Sequence, residues 1–438
     1  MMYEDYDLAA YGCGRSFYPY LERLDNLVNV KLFCDGNKEM WGKKIFGDQR
    51  ICVSLEEVKK LEKPFVIITV DDIDAVSELE KTLRREGVPY GHARDIIGQC
   101  GGDTGNDTSG WPEKIQRGKI HRFIDLKIVG TTACNFHCEY CYVWRRLGFH
   151  GENKLSGRSV EELCNGLSAK RLGGTCFISM CARGETLLAE GIVALTEGLL
   201  KEGHFVSIVT NGTFSKTINE ILEIPEELLQ RLFFKLSFHY RELMRLSLWD
   251  TFWDNVSKIS RSKCSFTLEI TPGDGTEPYI EEIKEMCREK MEGMLPHVSF
   301  TRDSQKIGYD LLSNHSVEEY KAVWGQFDSR MFDLKSEWYG RNMKTYQCYA
   351  GAWSYLVNAM TGDIKACYHG EPIGNIFDPE MKAFPVEAVR KECRISYCFN
   401  NHAFLAWGCV PEIQCATYLD MRDRVSDEGG HWVKEPVY

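Results

Sequence analysis

Short apolar runs alternate with amphipathic stretches along most of the chain, and the two periods separate strands from helices. Near the start, "DLAAYGCG" reads as a strand entering a glycine turn, "VNVKLFCD" as a second strand ending in Asp35, and "PFVIITV" as a third. Between and after them, "SFYPYLERLD", "SLEEVKKLE" and "DIDAVSELEKTLRREG" carry helical spacing. The alternation resumes on a larger scale from residue 121. Its strands are "FIDLKIV" (123–129), "CFISM" (176–180), "FVSIVT" (205–210), "FKLSFH" (234–239), "SFTLEIT" (265–271) and "HVSFTR" (297–302). Helical stretches such as "SVEELCNGLSAKRL", "AEGIVALTEGLLKE" and "EPYIEEIKEMCREKMEG" separate them.

These patterns predict an α/β protein of several parts. Residues 1–97 form a small open parallel sheet, a Rossmann-like α/β domain. Residues 98–120, rich in Gly, Asp and Thr, read as a linker. Six strand-then-helix units over 121–305 predict a parallel sheet curled into a partial (β/α)6 TIM-like barrel. In such barrels chemistry sits at the C-terminal ends of the strands. Residues 306–347 read as a helical, aromatic connector, and 348–438 as a small irregular domain in which clean periodicity is lost while cysteines become dense.

Composition narrows the class. At 438 residues, 43% hydrophobic and 27% charged, the chain is an ordinary globular one, and a net charge of −11 argues against a coat for nucleic acid or an anionic membrane. The start "MMYEDYDLAAYG" has neither a basic nor an apolar signal region, and no run approaches a membrane-spanning length, so the cytoplasm is the expected location. Eighteen cysteines in such a chain point to metal or redox roles rather than to a disulfide framework.

Three of them, in "ACNFHCEYCYV", stand at 134, 138 and 141, directly after the first strand of the larger alternation. Thiolates spaced C-x3-C-x2-C can wrap one face of an iron–sulfur cube, leaving the fourth iron open. Zinc is the alternative, with His137 or His150 as fourth ligand. "CNFHCEYC" resembles the signature of the radical SAM superfamily, with Tyr140 in the aromatic place. Two more stretches carry the resemblance. "ARGETLL" is similar to the family's Gly-Gly-Glu-Pro turn, retaining Gly184 and Glu185 but departing at Arg183 and Thr186; "VTNGT" is similar to its Thr-Asn-Gly turn at Asn211 and Gly212.

The resemblance spans residues 121 to about 302 and implies a specific chemistry. Cys134, Cys138 and Cys141 would hold a 4Fe–4S cluster whose open iron chelates S-adenosylmethionine (SAM). Tyr140, Gly184, Glu185, Asn211 and Ser237, with His239 as alternative to Ser237, would contact SAM. Reductive cleavage would yield a 5′-deoxyadenosyl radical that abstracts a substrate hydrogen atom, with a flavodoxin- or ferredoxin-type protein as reductant. Six further cysteines lie at 348, 367, 393, 398, 409 and 415. The first two are spaced C-x13-G-x4-C about Gly362 and, with "HGEPIGNIF" after them, resemble the opening of the SPASM and twitch extensions. That implies one or two auxiliary iron–sulfur clusters, although "CRISYC" and the gaps to Cys409 and Cys415 depart from the usual spacing.

Other positions have two readings each. Cys181 is either a hydrogen-atom donor or a packed thiol. Cys13, Cys34, Cys52, Cys164, Cys264 and Cys287 read as core, as do the aromatics of "WDTFWDNV". Trp144, Arg145 and Arg146 either line the mouth of the site or are a packed ring and solvated charges. Gly12, Gly14 and Asp35 stand where a phosphate turn and a ribose-binding acid would be, but Phe17 replaces the third glycine. The Rossmann-like start tilts the expected substrate toward a carbohydrate or nucleotide-linked small molecule, oxidised or rearranged with auxiliary-cluster help. A peptide or protein side chain is the alternative. A non-catalytic iron–sulfur electron carrier and a zinc-containing nicotinamide enzyme are rivals of other classes.

Overall fold

The computed structural model describes residues 3, 5–13, 17, 21, 24–25, 27–44, 49–70, 73–93, 96, 120–148, 151–303, 310–368, 371–390, 393, 398 and 401–435. Gly14, His150 and all of the expected linker except residue 120 lie outside them. The chain divides into two compact units, Met1–Trp111 with Tyr368–Pro372, and Pro112–Cys367 with Ile373–Tyr438. Among the described residues no helix is long and apolar enough to cross a membrane.

The first unit holds five strands: β1 Asp7–Tyr11, β2 Val30–Cys34, β3 Cys52–Val53, β4 Pro64–Ile68 and β5 Tyr90–His92. All pair in parallel, in the order β3-β2-β1-β4-β5. Both faces are buried, which is why these strands read as nearly unbroken apolar runs. Leu8, Ala10, Phe33 and Ile67 face one core with Phe17, while Ala9, Cys34, Val66 and Ile68 face another with Leu79 and Leu83 of the helix Ile73–Arg85. Winding reverses at β1, and Gly12 follows it at φ +109°, where a Cβ would run into Val70. Asp35 ties this turn together, accepting from Cys13 N–H at 2.7 Å and from Asn37 N–H at 2.8 Å. The carboxylate expected to face a ribose is thus engaged through both oxygens, one with the turn after β1 and one with its own loop.

The second unit is built on a nine-stranded, largely parallel sheet. Its strands are β6 Arg122–Ile128, β7 Cys176–Ala182, β8 Phe205–Thr210, β9 Leu232–Phe238, β10 Ser265–Ile270, β11 His297–Val298, β12 Ser354–Asn358, β13 Asp363–Lys365 and β14 Pro372–Asn375. Their order is β11-β10-β9-β8-β7-β6-β12-β13-β14. From β6 to β11 each strand lies beside its predecessor, always on the same side, and parallel to it. Right-handed crossovers then put every connecting helix on one face. That face is apolar: Ile124, Leu126, Ile178, Met180, Ile208, Leu236 and Leu268 share one core with Leu195, Leu199, Val256 and Ile283 of the helices Ile192–Lys201, Trp249–Arg261 and Ile280–Lys290.

The opposite face has a different composition. Alternate residues of the same strands, Asp125, Lys127, Ser179, Cys181, Ser207, Lys235, Ser237 and Glu269, are polar. At its base the carboxyl-terminal residues close over it: Trp407 stacks on Phe123 at 5.5 Å between centroids and packs on Phe177, and Tyr418 stacks on Trp407 at 4.9 Å. β12, read from sequence only as part of a cysteine-spaced segment, pairs in parallel with β6 and extends the sheet.

Candidate active site

Directly after β6 the chain leaves the sheet in a loop that the neighbouring strand turns hold by backbone bonds. Gly184 N–H donates to Thr131 O at 2.9 Å and Glu185 N–H to Ala133 O at 2.8 Å, while Thr132 and Ala133 N–H both reach Glu152 O. A Cβ on residue 184 would collide with the Ala133 carbonyl, so only glycine allows this approach. Farther on, His137 N–H donates to Glu242 Oε2 at 2.7 Å from the helix Tyr240–Leu246.

This loop carries Cys134, Cys138 and Cys141. Cys138 is buried and the other two half-buried. Burial pushes Cys134 up to about 12, with Phe136 N–H acting the other way and Glu185, Cys141 and Glu242 adding to the rise. Burial also raises Cys138, followed by the charges of Cys141, Glu242 and Cys134. Cys141 caps the helix Tyr142–Leu147, and burial raises it against the N–H groups of Trp144 and Val143. Three thiols in mutual electrostatic reach, two of them facing backbone donors, form a donor set that suits a negatively charged iron–sulfur cube. Each would give up its proton on binding metal. Among the described residues no three Cys, His, Asp or Glu side chains are gathered closely enough to hold a single metal ion.

The residues expected to contact SAM surround the loop. Tyr140 and His239 share a hydrogen bond of 2.7 Å between the phenol oxygen and Nδ1, and burial lowers His239 to about 4, so its ring is neutral near pH 7. Glu185 is buried between two turns. Its Oε1 accepts from Leu187 N–H at 3.0 Å and the Thr210 hydroxyl at 2.6 Å, and its Oε2 accepts from Asn211 N–H at 2.8 Å. Burial raises its pKa against those three donors. Glu185 therefore joins the β7 turn to the β8 turn. Gly212 sits at φ +73° with the Phe252 ring 3.0 Å from where a Cβ would be. Ser237 is half-buried on the polar face, and its hydroxyl makes no hydrogen bond among the described residues.

Sequence reasoning missed Asn135. Asn211 Nδ2 donates to Asn135 Oδ1 at 2.8 Å, Asn135 Nδ2 donates to Thr213 Oγ1 at 3.0 Å, and the Thr213 hydroxyl returns to Asn211 Oδ1 at 2.7 Å. This closed ring locks the cysteine loop to the β8 turn. The only local clue was an amide inside the cysteine motif. Cys181 is half-buried and within electrostatic reach of Cys141. Trp144 is exposed, with its ring 4.4 Å from that of His137, and Arg145 lies 3.7 Å from Asp303.

The tail cysteines are gathered differently. Cys348 exchanges backbone bonds with Arg390, and Tyr349 N–H donates to Cys409 O at 2.7 Å. Burial raises the Cys348 thiol, with Cys409, Cys367 and Cys398 adding to the rise and Ala350 N–H opposing it. Cys348, Cys367, Cys398 and Cys409 are thus brought together, and Cys409 Sγ donates to Ser354 Oγ at 3.2 Å. Cys393 and Cys415 are half-buried. Four thiols are the number a 4Fe–4S cluster takes. His369 and Gly370 of "HGEPIGNIF" lie outside the described residues.

The family model of the Radical SAM superfamily matches residues 128–289, the stretch that contains the cysteine loop and both turns that hold it. That match covers less than half of the chain; over it the chain is similar to radical SAM domains, which supports a 4Fe–4S cluster, SAM and radical chemistry. No curated protein matches the chain. Among solved structures, Streptococcus suis SuiB bound to S-adenosylmethionine is similar at 12% identity and TM-score 0.41, covering 60% of this chain and 63% of that one. Native anSMEcpe with bound AdoMet is similar at 17% identity and TM-score 0.40, covering 59% and 79%. BtrN in complex with AdoMet and 2-DOIA is similar at 15% identity and TM-score 0.31, covering 60% and 85%. The chain thus spans under two thirds of the SuiB chain, and no substrate is carried over from these likenesses.

Proposed function

We propose that this chain reductively cleaves SAM and abstracts a hydrogen atom from a carbohydrate or nucleotide-linked small molecule, which it oxidises or rearranges with the help of auxiliary clusters. The observation that carries this reading is the cysteine loop at the end of β6, bonded through its backbone to Gly184 and Glu185 inside the stretch that matches the superfamily. When bound, a 4Fe–4S cluster supplies one electron for cleavage of SAM to methionine and a 5′-deoxyadenosyl radical. Cys134, Cys138 and Cys141 are its ligands in this reading. Tyr140, Gly184, Glu185, Asn211 and Ser237 form the cradle for SAM.

What the chain itself contributes is position. The Asn135–Asn211–Thr213 ring and the Glu242 bond to His137 hold the loop from two sides, so the cradle is set before any ligand arrives. Cys348, Cys367, Cys398 and Cys409 are the proposed ligands of one auxiliary cluster, with Cys393 and Cys415 left for a second or as spare thiols. The polar face of the sheet is the proposed substrate side, as part of a partial barrel. The first unit supports a small-molecule substrate by fold analogy: a parallel sheet whose winding reverses beside a glycine turn is a common nucleotide-binding arrangement. A flavodoxin- or ferredoxin-type reductant is the implied partner.

The test is iron, sulfide and 5′-deoxyadenosine release on anaerobically reconstituted protein, beside the Cys134→Ala, Cys138→Ala, Cys141→Ala triple variant. Loss of about four irons together with all deoxyadenosine is expected. Zinc in place of iron in the wild type would end the radical reading.

A further inference from the structure

The polar face of the sheet holds more buried positive charge than the residues around it neutralise. Glu269 of β10 is the hub. Lys235 Nζ of β9 lies 2.8 Å from Glu269 Oε2, and Arg422 Nε, from the carboxyl-terminal segment, donates to Glu269 Oε1 at 3.0 Å. Lys335 of the helix Arg330–Glu337 is buried beside them; burial, then the charges of Arg302, Lys235 and Arg422, push its ammonium well below the usual lysine range, with Glu269 acting the other way. Its Nζ has one weak hydrogen-bond partner among the described residues, Ser299 Oγ at 3.5 Å. One carboxylate therefore serves two cations, Lys235 and Arg422, and Lys335 beside them holds a proton only against their charge.

Arg422 makes the imbalance specific. It is fully buried, its Nη1 donates to Tyr418 O at 3.2 Å, and its Nη2 has no partner among the described residues. A buried guanidinium nitrogen with nothing to donate to is costly, the more so because it is charged. Lys235, with a side chain 21% exposed, is the member of the cluster that reaches solvent. Lys235 also stands two residues before Ser237 on the same strand face, which places the cluster just below the proposed SAM cradle.

From this we infer that Lys235, Lys335 and Arg422 form a binding site for a multiply charged oxyanion, a phosphate or pyrophosphate group carried by the substrate. SAM itself fits poorly, because its sulfonium and ammonium outweigh its single carboxylate, whereas a multiply charged oxyanion would pair with both Lys235 and Arg422 and restore the charge of Lys335. The inference deepens the proposed function by naming a phosphorylated or nucleotide-linked substrate, and it rests on that reading for the role of the face, though not for the binding itself.

The experiment uses the anaerobically reconstituted full chain and needs no turnover. Binding of inorganic phosphate, pyrophosphate and SAM is measured by equilibrium dialysis for wild type, Lys335→Met and Lys235→Met. Pyrophosphate is expected to bind wild type at one equivalent and to raise its Tm, and each variant to weaken it at least about ten-fold with SAM affinity unchanged within about two-fold. Lys335→Met without anion should melt at or above the wild-type temperature, since it removes an amine buried among other cations. If wild type binds neither anion, or the variants bind pyrophosphate as wild type does, the site does not exist. If SAM affinity falls in step instead, the oxyanion is the carboxylate of SAM and the substrate assignment is wrong. Pyrophosphate binding in a protein that releases no deoxyadenosine would keep the site and reject the radical reading.

Discussion

The two cysteine groups of this chain are built on opposite principles. Cys134, Cys138 and Cys141 lie within one short loop, and what the fold adds is clamps: Gly184 and Glu185 from one turn, Asn211 and Thr213 from the next, Glu242 from a helix. Cys348, Cys367, Cys398 and Cys409 span more than sixty residues and meet only because β12 and β13 fold back and Cys409 returns beside Cys348. The first set is local in sequence and rigid in its frame. The second exists only once the tertiary structure has formed. A spacing motif therefore proposes the first set as a unit, whereas for the second it points to a region and leaves the ligand set open.

The largest effects should divide along that line. The triple alanine variant of Cys134, Cys138 and Cys141 should lose about four irons and all deoxyadenosine release while the tail keeps its own iron. Cys348→Ala with Cys409→Ala should also lose about four irons yet still release deoxyadenosine without substrate turnover. If the tail variant stops SAM cleavage as fully as the loop variant does, the two groups are not separate machines. If it loses no iron, Cys348 and Cys409 are packed thiols.

Next in size come the glycines that allow close approach. Gly184→Ala drives a methyl into the Ala133 carbonyl, and the loop must move; such overpacking typically costs about 1–3 kcal/mol. Because a displacement of about 1 Å at a reacting centre can cost on the order of a hundred-fold, deoxyadenosine release should fall by about that much while tail iron stays. Gly362→Ala is the counterpart: at φ +81°, with Asn375 and Phe377 in the way, it should disturb the β12–β13 turn and tail iron instead. Iron counts and deoxyadenosine rates on both variants read the comparison directly.

These differences also mark what sequence alone reveals. The strands that hold the loop were legible because apolar alternation is a short-range signal. "FVSIVT" is β8 to the residue, and the neighbouring runs fall within a few residues of β6, β7, β9 and β10. β12 was hidden inside a segment dominated by its cysteine spacing, and β3 and β5, at two and three residues, are too short to carry a period. Asn135 and the Lys235–Glu269–Arg422 cluster were missed for another reason. Each is a contact between residues far apart in sequence, and in Arg422 the partner comes from 153 positions away. A charged residue inside an apolar strand, such as Lys235 or Glu269, was the one available signal.

A smaller effect isolates the clamp from the ligands. Asn135→Ala removes one member of the Asn135–Asn211–Thr213 ring and leaves two polar groups short of partners, at a cost of roughly 1–3 kcal/mol. The proposed cluster ligands are untouched, so iron content should equal wild type. SAM affinity and deoxyadenosine release should drop by about ten-fold, as loosened positioning predicts. Equal loss of iron would mean that the ring shapes the ligand set itself rather than the cradle.

The smallest effect concerns protonation. His239 is lowered to about 4 by burial, and its Nδ1 is shared with Tyr140. In the unfolded chain an imidazole titrates near 6.5. Between those values the unfolded state binds more protons, so stability rises with pH there. The contribution is full above about pH 6.5 and is lost as pH falls toward about 4. His239→Asn keeps a polar side chain that does not titrate, and should flatten the stability profile over that window while changing it little at pH 7.5. The tail has no described counterpart of this buried pair, so the acid-sensitive step should be release of the loop cluster, with tail iron retained. Iron content and Tm followed from pH 7 to pH 5 in wild type and His239→Asn would show it. Equal slopes in the two proteins would place the sensitivity elsewhere, with the buried His297, lowered to about 3, as the next group to replace.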